Sequence, residues 1–294
     1  MAAATPPAGR VARLLDMIKF PHTIFALPFA LTGLVLASGG LPKGRVVLWV
    51  VAAMVGARTA AMGWNRIADR DIDARNPRTA SRHLPAGTVR VTEAWALTLA
   101  GAALLLLAAW RLNPLCLELA PVALAAFLFY PYTKRFTWLC HFFLGLCLAA
   151  APVGAWIAAR GSLDPRILPL AAAVLLWTAG FDILYALQDL EHDRKEGLHS
   201  LPRVLGTAGS LAAARLLHGG MFALLVWEGF LLDLGLFYWA ALAVTAGLLV
   251  YEHRLVSPRD LSKLDAAFFT MNGIVSLVVF VGTFLDVAAG GLSR

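Results

Sequence analysis

The chain has 294 residues, of which 60% are apolar and only 15% charged, and its mean hydropathy is +0.72. A soluble domain cannot hide that much apolar surface. Stretches 20–42, 136–159, 234–251 and 266–285 hold no Asp, Glu, Lys or Arg, and each is long enough, or nearly so, to cross a bilayer core as a helix. A secreted fold, a disordered chain and an ordinary cytosolic enzyme are thereby excluded.

Residues 1–17 read as a polar N-terminal arm. The apolar run that follows is too long for a signal peptide and lacks a cleavage pattern, so it is expected to remain as a membrane helix. Weaker segments bring the predicted spans to nine: 20–40, 46–68, 94–110, 114–132, 136–158, 167–188, 211–232, 234–252 and 266–286. The fourth is interrupted by Glu118, and the seventh carries Glu228 and ends at Asp233. The fold class is therefore all-α, a polytopic membrane protein forming one domain over 1–294. Cys116, Cys140 and Cys147 fall in apolar stretches without metal-ligand spacing, and read as small core residues.

Of the 25 Lys and Arg, 18 fall on alternate connections that share one side, six on the other, and Arg58 lies inside a span. The positive-inside rule puts the basic side, with the N-terminus, in the cytoplasm. The formal charge of +7 is thus mostly a topology signal, and with no zinc-finger, RNP or helix-turn-helix pattern it calls for no nucleic-acid partner. The long connections, 69–93 and 189–210, also lie on the basic side, where function is expected. Asn65, Asp69 and Arg70 recur 124 residues later as Asp189, Asp193 and Arg194, so the chain reads as two four-helix repeats plus one helix.

Four constellations carry chemistry. Asn65, Asp69 and Asp73 advance by roughly 40° each on a regular helix, which points one amide and two carboxylates into one sector. Asp182, Asp189 and Asp193 share a face in the same way at the end of the sixth span. Hard oxygen donors gathered like this suit Mg²⁺, which bridges one or two carboxylates to phosphate oxygens; interfacial anchors paired with nearby arginines are the alternative. The loop from Arg75 to Pro85 is basic, and Arg78 and Arg82 project together if the turn between them is helical, a guanidinium pair suited to diphosphate or to setting topology. Two cationic positions lie at membrane depth. Arg58 needs an anion, either the first acidic cluster or a substrate carboxylate, and Lys134 with Arg135 ends the fourth span beside Tyr130 and Tyr132, where snorkelling is the plainer role. No Walker loop, G-x-S-x-G elbow, H-E-x-x-H or Rossmann fingerprint is present. What remains is metal, diphosphate and membrane.

These residues, with the runs Asn76-Pro77-Arg78-Thr79, Arg82-His83-Leu84-Pro85-Ala86-Gly87, Tyr130 to Arg135 and Tyr185 to Asp193, resemble the UbiA-type intramembrane prenyltransferase superfamily over essentially the whole chain. Within it the chain is most similar to polyprenyltransferases that alkylate 4-hydroxybenzoate or a related aromatic acid. The resemblance implies nine transmembrane helices around a central cavity capped at the cytoplasmic face of a bacterial inner membrane. It also implies Mg²⁺ held by Asn65, Asp69, Asp73, Asp189 and Asp193, and an allylic diphosphate contacted by Arg78, Arg82 and Lys134. Tyr130 and Tyr185 would lie near the reacting carbon, and Arg135, like Arg58, is a candidate for the acceptor carboxylate. Many relatives have Asn-Asp where this chain has Asn65-Arg66, which removes one acid and leaves the metal count open. The runs Phe181 to Tyr185 and Glu196 to Ser200 resemble a subgroup with a naphthoate acceptor, so ubiquinone and menaquinone biosynthesis both remain open.

The chemistry implied is electrophilic aromatic alkylation. Cations neutralise the diphosphate as the allylic bond ionises, tyrosine faces shield the allyl cation, and an electron-rich ring attacks it. The sequence names no group to take the ring proton. An ion-coupled secondary transporter is the reading from another class, and it requires carboxylates near midspan, whereas these sit at cytoplasmic helix ends.

Overall fold

In the computed structural model, residues 9–19, 26–265 and 270–290 are described. They form α1 (Arg10–Met17), α2 (Leu27–Ser38), α3 (Gly44–Ala68), α4 (Arg70–Arg75), α5 (Val91–Leu112), α6 (Pro114–Thr133) and α7 (Cys140–Arg160). The chain continues as α8 (Leu168–Ala186), α9 (Leu190–Glu196), α10 (Leu201–Leu231), α11 (Leu236–Leu255) and α12 (Asn272–Ala288). Among the described residues no strand forms, only an isolated bridge between Ser257 and Asp260. The protein is an all-α polytopic membrane protein. Among the described residues seven stretches are long and apolar enough to span: α3, α5, α6, α7, the run Pro165–Glu196 containing α8 and α9, α10 and α11. Helices α2 and α12 are shorter apolar helices, and the parts of the first and ninth expected spans at 20–25 and 266–269 lie outside the described residues.

Local chemistry places the helix ends. Proline occupies the first turn of α2, α6, α8 and α10, where its missing N–H is no loss. Asn113 caps α6 by accepting the Cys116 N–H at 3.0 Å and also donates to the Ile157 carbonyl of α7 at 2.8 Å, which pins two helices together at one membrane face. Helix α7 stops at Gly161, whose φ of 71° few other residues adopt cheaply.

Helix α8 is the most deeply buried, held between α7 and α10, and its Trp177 meets Phe29 of α2 and Phe181 edge-on at 4.9 and 4.8 Å. Helices α3 and α5 approach so closely that a Cβ on Gly56 would lie 2.6 Å from the Leu105 nitrogen, and one on Gly101 2.6 Å from that of Ala60. Small residues at a crossing are how membrane helices gain contact when lipid supplies no hydrophobic drive. The outside is apolar: Leu99, Trp110, Val122, Leu216, Phe230 and Leu236 are each more than half exposed, a surface that belongs in lipid.

Two expectations need correction. The seventh span begins earlier than expected, because α10 starts at Leu201 and carries on through a kink at Gly206 (φ 66°, ψ −176°). The internal repeat is also out of register by one helical turn. Helix α3 breaks at Asp69 (φ −97°, ψ 3°) and the chain breaks again at Asp189 (φ −104°, ψ 3°), each break leading into a short helix that buries Asp73 or Asp193 in its first turn. The structural offset is thus 189 minus 69, or 120 residues, and Asn65 is an additional donor without a carboxylate counterpart.

Candidate active site

A single cavity of about 1410 Å³ runs from the two breaks at the basic end to Leu112, Cys116 and Leu168 at the opposite membrane face. Asn65, Asp69, Asp73, Asp189 and Asp193 all line its basic end, as do Arg78, Arg82, Lys134, Tyr130 and Tyr185. The two acidic sets therefore do meet in one chamber, at helix ends and not at midspan.

The breaks aim the carboxylates. At Asp69 the helix axis turns while the Asp73 N–H still reaches the Asp69 carbonyl at 2.7 Å, so both side chains stay on the cavity side. Asn65 donates to Asp69 Oδ2 at 3.3 Å. In the second half a 3-10 turn, Leu187–Asp189, replaces regular helix, which breaks the common face expected for Asp182, Asp189 and Asp193. All three still line the cavity, but Asp182 lies apart, bonded to His141 of α7 at 2.7 Å.

Three of the four acids hold a cation, and Asp193 forms no ion pair among the described residues. Lys134 donates to Asp69 Oδ2 at 2.6 Å, and Arg82 grips both oxygens of Asp73 at 2.7 and 2.8 Å. Arg78 makes a two-pronged contact with Asp189, its Nε at 2.8 Å from Oδ1, and also donates to the Tyr185 hydroxyl at 3.0 Å. Asn76 adds a bond to Asp189 at 2.7 Å. Burial works against the charge of Arg78, but the hydrogen bond and charge of Asp189 outweigh it and raise its pKa above the usual guanidinium value. Arg78 and Arg82 would project together across a helical turn; the segment between them is a run of turns, and they diverge, one to each acidic set. The intervening turns, Thr79 N–H to Asn76 and Arg82 N–H to Thr79, spread them. The loop is thus a strap between the two halves.

The donor set fits Mg²⁺ bound jointly with phosphate. Buried Asp69 Oδ1 has no hydrogen-bond partner, and Arg135 stands 3.7 Å from it. Among the described residues no three His, Cys, Asp or Glu side chains converge to chelate an ion alone. Mg²⁺ is commonly bound in just that shared way, by one or two carboxylates with phosphate and water completing its shell.

The remaining cations depart from expectation. Arg58 lines the cavity but does not pair with the first acidic cluster; it donates to the Lys19 carbonyl at 3.1 Å, and its Nε has no partner. A guanidinium held by a neutral carbonyl keeps its charge available to an incoming anion. Arg135 lies outside the main cavity, stacked on Tyr132 at 4.7 Å and donating to the Ala68 carbonyl at 2.6 Å, beside a small surface pocket with Arg75 and Glu196. Arg66 is buried and donates to the Met17 carbonyl at 3.1 Å, so it ties α1 to α3. The His141–Asp182 pair had no sequence signal of its own, since 41 residues separate its members.

The UbiA prenyltransferase family matches residues 26–274. The chain belongs to this family. It is 33% identical over 264 residues to the 4-hydroxybenzoate octaprenyltransferase of Vibrio atlanticus (strain LGP32), covering 90% of this chain and 92% of that one. It is 35% identical over 265 residues to the enzyme of the same name from Alkalilimnicola ehrlichii, covering 89% and 88%. A UbiA homolog from Aeropyrum pernix K1, solved in its apo form, superposes with a TM-score of 0.83 at 37% identity, covering 90% of this chain and 98% of that one. A UbiA homolog from Archaeoglobus fulgidus, solved bound to GPP and Mg²⁺, shares the fold with a TM-score of 0.69 at 21% identity, covering 94% and 99%.

Proposed function

We propose that this UbiA-family protein transfers a polyprenyl group from an allylic diphosphate to an aromatic acid of the 4-hydroxybenzoate type, in quinone biosynthesis at the cytoplasmic face of a bacterial inner membrane. The observation that carries this reading is one chamber with two acidic helix breaks at its polar end, strapped together by Arg78 and Arg82, and an apolar barrel below. The names of the relatives at 33–35% identity support the same acceptor class. Nine spanning helices in two related halves plus one fit the seven long and two short apolar helices.

In this reading Asp69, Asp73, Asp189 and Asp193, with Asn65, hold Mg²⁺ together with the diphosphate. The bound ion supplies charge neutralisation for the leaving group. The chain's own part begins with Arg78, Arg82 and Lys134, which let go of their carboxylates in exchange for diphosphate oxygens, a swap that keeps each charge paired. Tyr130 and Tyr185 present π faces where positive charge develops on the allyl carbon. The apolar walls exclude water that would otherwise capture it. Arg58, free of any carboxylate, anchors the carboxylate of the acceptor. Arg135, outside the chamber, is better assigned to holding Ala68 and the Asp69 break in place.

The test is product analysis. Detergent-purified protein with Mg²⁺, a polyprenyl diphosphate and 4-hydroxybenzoate is expected to yield a prenylated acid by mass spectrometry, with none formed in excess chelator and activity restored by Mg²⁺. Dihydroxynaphthoate in a parallel arm decides between the two acceptors. No prenylated product from either acid would overturn the reading.

A further inference from the structure

Below the diphosphate end, one acid on the cavity wall is left unexplained. Asp182 of α8 accepts a hydrogen bond from the ring of His141 on α7, Nδ1 to Oδ2 at 2.7 Å. The other ring nitrogen, Nε2, accepts the backbone N–H of Leu201 at 3.2 Å. A nitrogen that accepts carries no proton, so the ring is the Nδ1–H tautomer and donates to Asp182. The geometry is that of a carboxylate oriented by a histidine that is itself fixed by the backbone. The His141 side chain is only 3% exposed, whereas that of Asp182 keeps 19% and both residues line the chamber. Oδ1 of Asp182 thus remains for a ligand.

Its depth matters. Asp182 lies seven residues before the break at Asp189, and Arg58 eleven before the break at Asp69. The difference of four residues is about 6 Å of helix rise, with Arg58 the deeper. An aromatic acid whose carboxylate meets Arg58 therefore turns its far end toward Asp182 and the diphosphate. Besides the acids and cations already placed, the titratable groups lining the chamber are Tyr130, Cys140, Cys147, Tyr185, His192 and His199, with Asp16, Lys19 and His83 from the first half, while His218 of α10 abuts Gly180. Of the chamber carboxylates only Asp182 and Asp193 pair with neither a lysine nor an arginine within the described residues, and Asp193 belongs to the acidic set at the helix breaks.

We propose that Asp182 is a catalytic base for the acceptor hydroxyl, and that His141 is its positioning residue; the inference rests on the functional reading above. The phenol O–H bond breaks and its proton passes to Asp182, leaving the electron pair on oxygen. The ortho carbon of the phenolate then bonds to the allyl carbon as the allylic C–O bond breaks, its pair leaving with diphosphate. The ortho C–H proton passes to a diphosphate oxygen, its pair restores the aromatic ring, and Asp182 returns its proton to the ring oxygen. A positioned base is worth about 10²–10⁴-fold.

The test compares wild type, Asp182→Asn, Asp182→Glu and His141→Gln, each in detergent with Mg²⁺, a polyprenyl diphosphate and 4-hydroxybenzoate from pH 6 to 10. Asp182→Asn is expected to lose roughly 10²-fold or more in kcat at pH 7, with KM for the diphosphate unchanged. Its rate should then climb about tenfold per pH unit toward the phenol pKa near ~10, because the acceptor then ionises unaided. Asp182→Glu should recover part of the loss, and His141→Gln should fall between. Thermal unfolding and polyprenyl diphosphate binding establish that each variant is folded. A folded Asp182→Asn enzyme with wild-type kcat, or one whose deficit is the same at every pH, would overturn the assignment while leaving the transferase reading intact. Failure of the wild type to prenylate any aromatic acid would overturn both.

Discussion

The two acidic ends are built on one plan and finished differently. In each half a long helix breaks at an aspartate with nearly identical backbone angles and buries a second aspartate one turn on. The first half draws its cations from two sources, Lys134 at the end of α6 and Arg82 in its own loop. The second half borrows from the first: Arg78 and Asn76, both in the 76–90 loop, reach across to Asp189. The loop after α9 offers no counterpart, turning instead to structural duties such as the His199 N–H to the Lys134 carbonyl at 2.7 Å. The two halves thus present similar carboxylate platforms, and only the 76–90 loop bridges them.

That asymmetry ranks the expected losses. Removing Asp189 takes away a proposed metal donor and also releases Arg78 and Asn76, so Asp189→Ala is expected to lower product formation about 10³-fold or more. Asp69→Ala should cost a similar factor, yet through a different route, since it leaves Lys134 unpaired and the strap still closed. Saturation with polyprenyl diphosphate separates them: the Asp189 variant should raise KM for the diphosphate as well as lower kcat, and the Asp69 variant mainly kcat. Equal KM effects would mean the strap is not specific to the second half.

Arg78→Lys sharpens the same point. A fork that grips both oxygens of Asp189 and the Tyr185 hydroxyl becomes a single point charge, for an expected loss of about 10–100-fold in kcat/KM. Arg82→Lys should lose less, because Arg82 meets Asp73 through one nitrogen shared between its two oxygens. Lys134→Met is expected to act on stability as well, because it leaves Asp69 buried without its main partner. The cost should fall below the roughly 3–5 kcal/mol of a fully buried pair, since Lys134 keeps 30% of its side chain exposed. Thermal unfolding in detergent measures it.

Most of the chamber was legible from residue type and spacing. Carboxylates, guanidiniums and tyrosines at helix ends announce themselves in an apolar chain, because burial there is costly without a purpose. What the sequence could not show depended on backbone detail or long-range contact. The breaks at Asp69 and Asp189 shift the repeat by a turn, which a regular 100° projection cannot foresee. Arg58 turned to the Lys19 carbonyl and not to an acid, and Arg135 to the Ala68 carbonyl outside the chamber. Carbonyl partners leave no mark in a charge pattern. His141 finds Asp182 only once α7 packs on α8, with Gly145 so close to Leu175 that a Cβ would lie 2.5 Å from its carbonyl oxygen.

The smallest expected effect concerns the outer face of the comparison. Arg75 of α4 and Glu196 of α9 join the two short helices directly, at 2.8 Å, beside the surface pocket that also holds Arg135. The pair looks like a second strap, but its side chains are 53% and 25% exposed. Water and salt screen such a pair, and double-mutant cycles on exposed bridges give about 0.2–1 kcal/mol. Arg75→Ala, Glu196→Ala and the double variant are therefore expected to show a coupling below ~1 kcal/mol that fades as salt rises, with product formation within about twofold of wild type. A larger, salt-independent coupling would mean that the two halves are locked together from outside the chamber as well as by Arg78 within it.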